Sequence, residues 1–179
     1  MSALEPIHWD PQMRSTTLWT TEARIASIKV LIVDDDPSMR RVVRAMLGAV
    51  GVKRIHEARD GLSGLDAIRK LSPDIVIVDW EMPMLDGMHF VRLLREPGSF
   101  PNPDVPIIML TGHGDHWRVV EAQRVGIQEY LLKPVSTKAL HDRIVSILTR
   151  SRPIPAPRRS GGVAAKPKAV IHRDVVLVN

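Results

Sequence analysis

Three short runs constrain most of what this chain can fold into. "KVLIV" (29–33), "DIVIV" (74–78) and "VPIIML" (105–110) are apolar at nearly every position and rich in β-branched residues. A strand with one wet face alternates polar and apolar residues, whereas a strand covered on both faces does not. These runs therefore read as central strands with helices on both sides. "RIHEA" (54–58) and "EYLLK" (129–133) are weaker strand candidates, suited to flanking positions.

Helical periodicity fills the gaps between them. After Pro37, the residues Met39, Val42, Val43, Met46, Leu47 and Val50 follow a 3.6-residue period, and Gly51 can end the helix. Asp60 is placed to cap a second helix carrying Leu62, Leu65, Ile68 and Leu71, and Asp86 a third carrying Phe90, Val91 and Leu94. A fourth, from about Asp115 to Val125, is poor in apolar residues; Ser136 opens a fifth with Leu140, Ile144, Ile147 and Leu148 on one face. Five strands alternating with five helices predict an α/β domain, a doubly wound five-stranded parallel sheet, over residues 29–149.

The flanks differ in kind. Residues 1–28 form an N-terminal extension with Trp9, Leu18 and Trp19 and a weak helical signal over 20–27. Residues 150–179 form a basic, Pro/Gly-rich tail that reads as a disordered linker, followed by a β-prone stretch from Val170 to Val178. Of 25 Lys+Arg and 20 Asp+Glu, the tail holds seven and one, leaving a nearly neutral body of 18 and 19. The basic character thus belongs to the tail, which lacks the interleaved aromatics of a nucleic-acid-binding surface. With no cysteine in the chain, disulfides and thiolate metal sites are excluded. No apolar run approaches the roughly 20 residues that span a bilayer. The first residues lack the basic start and apolar core of a secretion signal. A soluble, cytoplasmic protein without membrane contact is the expectation.

Acid gathers where two strands end: Asp34-Asp35-Asp36 after the first and Asp79 after the third. Parallel strands deliver such residues to the C-terminal edge of the sheet, where open α/β sheets bind ligands. If the first and third strands are neighbours, Asp34, Asp35 and Asp79 converge. Two carboxylates about 4 Å apart repel by roughly 4 kcal/mol at an effective dielectric near 20, so a cluster calls for a cation. An oxygen-only ligand set favours Mg²⁺ or Mn²⁺ over Zn²⁺. Thr111 and Lys133, the latter before Pro134, end the fourth and fifth strands at the same edge. A metal pocket with a hydroxyl and a lysine suits phosphoryl transfer, and a carboxylate can be the nucleophile. Asp36, ahead of Pro37, reads as a helix N-cap outside this cluster. His113 and His116 read as solvated loop residues and Trp80 as a packing residue near the pocket.

"VLIVDDDPSMRRVV", "DIVIVDWEMPMLDG", "PIIMLTGHG" and "EYLLKPVS" together resemble the receiver domain of bacterial two-component response regulators, of the single-domain chemotaxis kind. The resemblance implies a flavodoxin-like fold with strand order 2-1-3-4-5. It implies phosphorylation on Asp79 and metal ligation by Asp34, Asp35, Asp79 and the backbone carbonyl of Glu81, whose side chain lies where it can influence water attack. It implies phosphate contact by Thr111 and Lys133, a cis Lys133-Pro134 peptide, and Tyr130 as a switch aromatic. It further implies a histidine kinase or histidine phosphotransfer protein as donor. The output is then a change of partner binding on the face of the fourth helix, fifth strand and fifth helix. About 30 residues follow the fifth helix, too few for a helix-turn-helix output module. Output is therefore expected through an unknown protein partner or a homodimer, and the chain is expected to be a signalling phosphoacceptor rather than an enzyme.

Two other functions share parts of the pattern. A haloacid-dehalogenase-like Mg²⁺-dependent phosphohydrolase would use Asp34 and Asp36, with Thr111 and Lys133, but needs an acidic pair after the lysine where only Asp142 stands. A phosphorylation-independent scaffold would keep the fold without the chemistry, which leaves the intact acids, Thr111 and Lys133 unexplained.

Overall fold

A computed structural model describes residues 21–112, 120–121 and 123–149 of the chain. The elements are β1 (Lys29–Val33), α1 (Pro37–Val50), β2 (Arg54–Ala58), α2 (Gly61–Leu71), β3 (Ile75–Asp79), α3 (Gly87–Leu94), β4 (Ile107–Thr111), β5 (Glu129–Leu132) and α5 (Thr137–Thr149). The helical residues at 120, 121, 123 and 124 belong to α4, and a leading helix covers 21–27. All five strands pair in parallel in the order β2-β1-β3-β4-β5, so the two weaker strand sequences are the edges, as expected.

The sheet is covered on both faces. Leu31, Val33, Val76, Val78, Ile107 and Met109 face a cluster with Ile68 of α2 and Phe90, Val91 and Leu94 of α3. The intervening residues Val30, Ile32, Ile75, Ile77, Ile108 and Leu110 face Val43 and Leu47 of α1 and Leu140 and Ile144 of α5. All twelve of these strand residues are at most 1 % exposed, which is why the central strands read as continuous apolar runs.

The caps follow the sequence. Asp36 accepts from Ser38 N at 2.7 Å, Asp60 from Ser63 N at 2.7 Å in a capping box, and Asp86 from His89 N at 2.8 Å. Gly51 closes α1 at φ 102, a left-handed position that glycine takes without a Cβ penalty.

Four details differ from the expectation, the first being that β5 ends at Leu132, one residue short of Lys133. β3 starts and ends one residue later, because Asp74 turns back to accept from Lys29 N at 2.7 Å instead of extending the strand. β4 begins at Ile107, after Pro106, and includes Thr111. Val42 and Leu62, which fit the helical stripes, are 46 % and 57 % exposed; each lies at the margin of its stripe, beyond the reach of the sheet. The leading helix buries Ile25 to 2 % against the α1–α5 face. The tail and the loop histidines His113 and His116 lie outside the described residues.

Candidate metal and phosphoacceptor site

Strand order reverses between β1 and β3, and the acids lie at the carboxyl ends of those two strands. Val33 is paired with Val78, so one residue further Asp34 stands beside Asp79. One carboxylate oxygen from each of Asp34, Asp35 and Asp79 lies within 4.8 Å of the others. Asp34 is 1 % and Asp79 6 % exposed, while Asp35 reaches solvent. Asp36, the fourth acid of the motifs, is turned away to cap α1. That removes the second acid of a dehalogenase-type motif from the cluster, and Asp142 is exposed on α5, paired with Lys138 at 2.7 Å.

Lys133 follows directly on β5. Its Nζ lies 2.9 Å from Asp79 Oδ1 and 3.9 Å from Asp34 Oδ2. Its backbone N–H donates to Thr111 O at 2.7 Å, and its peptide bond to Pro134 is cis. Thr111 is fully buried at the end of β4, one residue past Leu110, the partner of Asp79. Strand alternation places Thr111 with Ile107 and Met109 on the α2–α3 side. Tyr130, half-buried and paired with Met109, packs on the same side. Its ring meets that of Trp80 edge-on, with centroids 6.5 Å apart. The carboxylates and the aromatic pair thus lie on opposite sides of the sheet's end, joined through the backbone of Asp79-Trp80. The side of Glu81 is open to solvent.

One oxygen of Asp34 is satisfied: Oδ1 accepts from Asp36 N at 2.8 Å. Oδ2 is buried without a hydrogen-bond partner. Burial pushes the Asp34 carboxyl up to about 6, with the neighbouring Asp79 and Asp35 charges adding to the rise and Asp36 N–H and Lys133 opposing it. A buried carboxylate oxygen without a hydrogen-bond partner, beside two further carboxylates, fits a hard divalent cation, which takes oxygen ligands.

Two contributors escaped the sequence reading. Gly87 packs so closely on the strand end that a Cβ there would lie 2.3 Å from Asp79 O; the Asp86 before it was legible as a helix N-cap, but the close approach of Gly87 was not. Arg40 donates through Nη1 to Asp34 O at 2.7 Å and Asp35 O at 3.3 Å. Its place one turn into α1 is the only sequence signal for that contact.

Residues 30–145 match the response regulator receiver domain family. The chain belongs to that family. This receiver is 32 % identical over 124 residues to chemotaxis protein CheY-3 of Vibrio cholerae, covering 69 % of this chain and 94 % of that protein. It is 30 % identical to chemotaxis protein CheY of Pseudomonas aeruginosa, over 69 % of this chain and 98 % of the other. Among solved structures, Vibrio cholerae CheY4 superposes with a TM-score of 0.61 at 31 % identity, over 67 % of this chain and 98 % of that one. The Francisella response regulator 1452 receiver domain superposes at 0.63 and 28 % identity, over 70 % of this chain and all of that one. The family match begins at Val30, so the leading helix over 21–27 lies outside the matched residues.

Proposed function

We propose that this receiver accepts a phosphoryl group on Asp79 from a histidine kinase or a histidine phosphotransfer protein, with Mg²⁺ or Mn²⁺ bound. The observation that carries the proposal is Lys133 Nζ held 2.9 Å from Asp79 Oδ1 beside the unbonded, buried oxygen of Asp34. In the transfer, an Asp79 carboxylate oxygen forms the bond to phosphorus as the bond from phosphorus to the donor imidazole nitrogen breaks. The leaving imidazole nitrogen takes the electron pair of that bond, and the ring departs neutral with the proton it already carries on its other nitrogen. Asp34, Asp35, Asp79 and the Glu81 carbonyl would hold the cation, which supplies positive charge to the phosphoryl oxygens. Lys133 adds a second positive charge from β5, and the Thr111 hydroxyl donates a hydrogen bond to the transferred group. Glu81, open to solvent two residues on, is placed to bias the approach of hydrolytic water.

The acquired dianion draws Thr111 and Lys133 toward Asp79 and shifts a pre-existing equilibrium between two conformations. Tyr130, in ring contact with Trp80 and next to Leu131 of the core, transmits the shift to the α4–β5–α5 face. That face then changes its preference for an output protein or a second copy. In this reading the protein is a cytoplasmic signalling component of a two-component pathway, not a turnover enzyme. Among the described residues no helix is long and apolar enough to cross a membrane.

The test is incubation with acetyl phosphate, the donor replaced by a small acyl phosphate, with mass spectrometry of the intact protein. The parent gains one phosphoryl group in Mg²⁺ and none with chelator; Asp79→Asn gains none. A label that persists in Asp79→Asn excludes the site, and steady phosphate release from simple phosphate esters would favour the phosphohydrolase.

A further inference from the structure

Lys133 meets the acidic cluster at its carboxylates; Arg40 meets the same loop at its backbone. The Arg40 side chain is only 16 % exposed. Nη1 is shared by the carbonyl oxygens of Asp34, at 2.7 Å, and Asp35, at 3.3 Å. Nε donates to Glu57 Oε2 at 3.2 Å. The other Glu57 oxygen accepts from Arg44 Nε, and Arg44 also donates to Ile55 O at 3.1 Å. One carboxylate at the end of β2 therefore orients two arginines a turn apart on α1. The guanidinium of Arg40 is held in one pose, directed at main-chain oxygens and away from competition for the acid side chains.

We propose that Arg40 is the positioning residue of the cation site, clamping the Asp34 and Asp35 carbonyls so that their carboxylates are gathered with Asp79 before any ion arrives. This inference rests on the reading of the cluster as a Mg²⁺ site. Three carboxylates drawn within 4.8 Å repel, and a loop free to relax would let them part. Charge-assisted hydrogen bonds to two consecutive carbonyls resist that movement from the far side of the loop. Glu57 offsets the positive charge that would otherwise oppose a cation. A lysine cannot reproduce the contact, since one ammonium lacks the planar fork that addresses the two carbonyls and Glu57 together.

The sign of the effect distinguishes positioning from plain electrostatics. Removal of a nearby positive charge would by itself tighten cation binding, and a merely structural arginine would leave the affinity unchanged once the protein is folded. The experiment is isothermal titration of the full chain with Mg²⁺ at neutral pH, for the parent, Arg40→Ala and Arg40→Lys. Folding is checked by circular dichroism. Loss of the clamp raises the Kd for Mg²⁺ about tenfold in Arg40→Ala, the scale seen when a ligand's supporting partner is removed. The Mg²⁺ concentration for half-maximal phosphorylation rises with it, while the rate at saturating Mg²⁺ falls far less. Arg40→Lys also raises the Kd, by a smaller factor, and decides the matter alone if Arg40→Ala does not fold. An unchanged or lowered Kd in a folded variant overturns the role of Arg40 and leaves the site intact. A parent protein that binds no Mg²⁺ overturns the reading of the site itself.

Discussion

Asp34 carries a conflict that a single residue can hold only with help. Its backbone position at the end of β1 buries it, one oxygen is bonded to Asp36 N–H, and the other has no hydrogen-bond partner. With its carboxyl raised from 3.8 to about 6, the metal-free native protein binds a proton there that the unfolded chain has already lost between those pH values. Stability of the metal-free protein therefore falls as pH rises from about 4 through 6, by at most about 3 kcal/mol from this group. Asp34→Asn keeps an oxygen for Asp36 N–H and removes the charge. It should unfold at higher urea than the parent at pH 7 without Mg²⁺, and the two should converge near pH 4. An Asn variant less stable than the parent at pH 7 would show that Asp34 is satisfied without a cation. The exchange of stability for a charged site is the usual pattern at functional positions.

At the scale of elements, the sequence was legible where one local rule decides and less so where tertiary packing does. Asp36, Asp60 and Asp86 announced three helix starts because an N-cap needs only its own next turn. The central strands announced themselves through unbroken apolar runs. Asp74 could not be placed, because its partner is the N–H of Lys29, 45 residues away. Arg40 was equally silent, since its acceptors are backbone carbonyls that any residue type would supply. The leading helix is the clearest case: its signal is weak, yet Ile25 is 2 % exposed and packs in the cluster with Ile28, Val52 and Leu47. Ile25→Ala should destabilise the domain by about 2–5 kcal/mol in equilibrium urea unfolding, the range for truncating a buried isoleucine. A change under about 0.5 kcal/mol, the level of an ordinary surface substitution, would mean that the helix does not dock in solution.

For the whole molecule, topology performs the assembly that no local segment can. Chain segments from residues 34 to 133 meet because β1 and β3 are adjacent, β4 follows β3, and β5 closes the edge. The site then spans the end of the sheet: carboxylates and Lys133 on the α1–α5 side, and Thr111, Trp80 and Tyr130 on the α2–α3 side. The strand end is also tight, since Gly87 N–H donates to Trp80 O at 2.9 Å and Trp80 N–H to Leu110 O at 2.8 Å. In the proposed function, a charge added to Asp79 acts on this hydrogen-bonded strand end. Trp80 is buried beside Asp79, the proposed phosphoacceptor, so phosphorylation should change tryptophan emission in the parent and leave Asp79→Asn unchanged; replacing Trp80 with Phe should abolish that change if the signal arises at the site.

The proposal that Asp79 carries a phosphoryl group can be tested directly. Protein phosphorylated with acetyl phosphate and Mg²⁺ is reduced with borohydride, which converts an aspartyl phosphate to homoserine, and its peptides are sequenced by mass spectrometry. Homoserine at position 79 and at no other aspartate is the expected result. Homoserine at Asp34 or Asp35, or an unmodified Asp79 in protein that binds Mg²⁺, would contradict it.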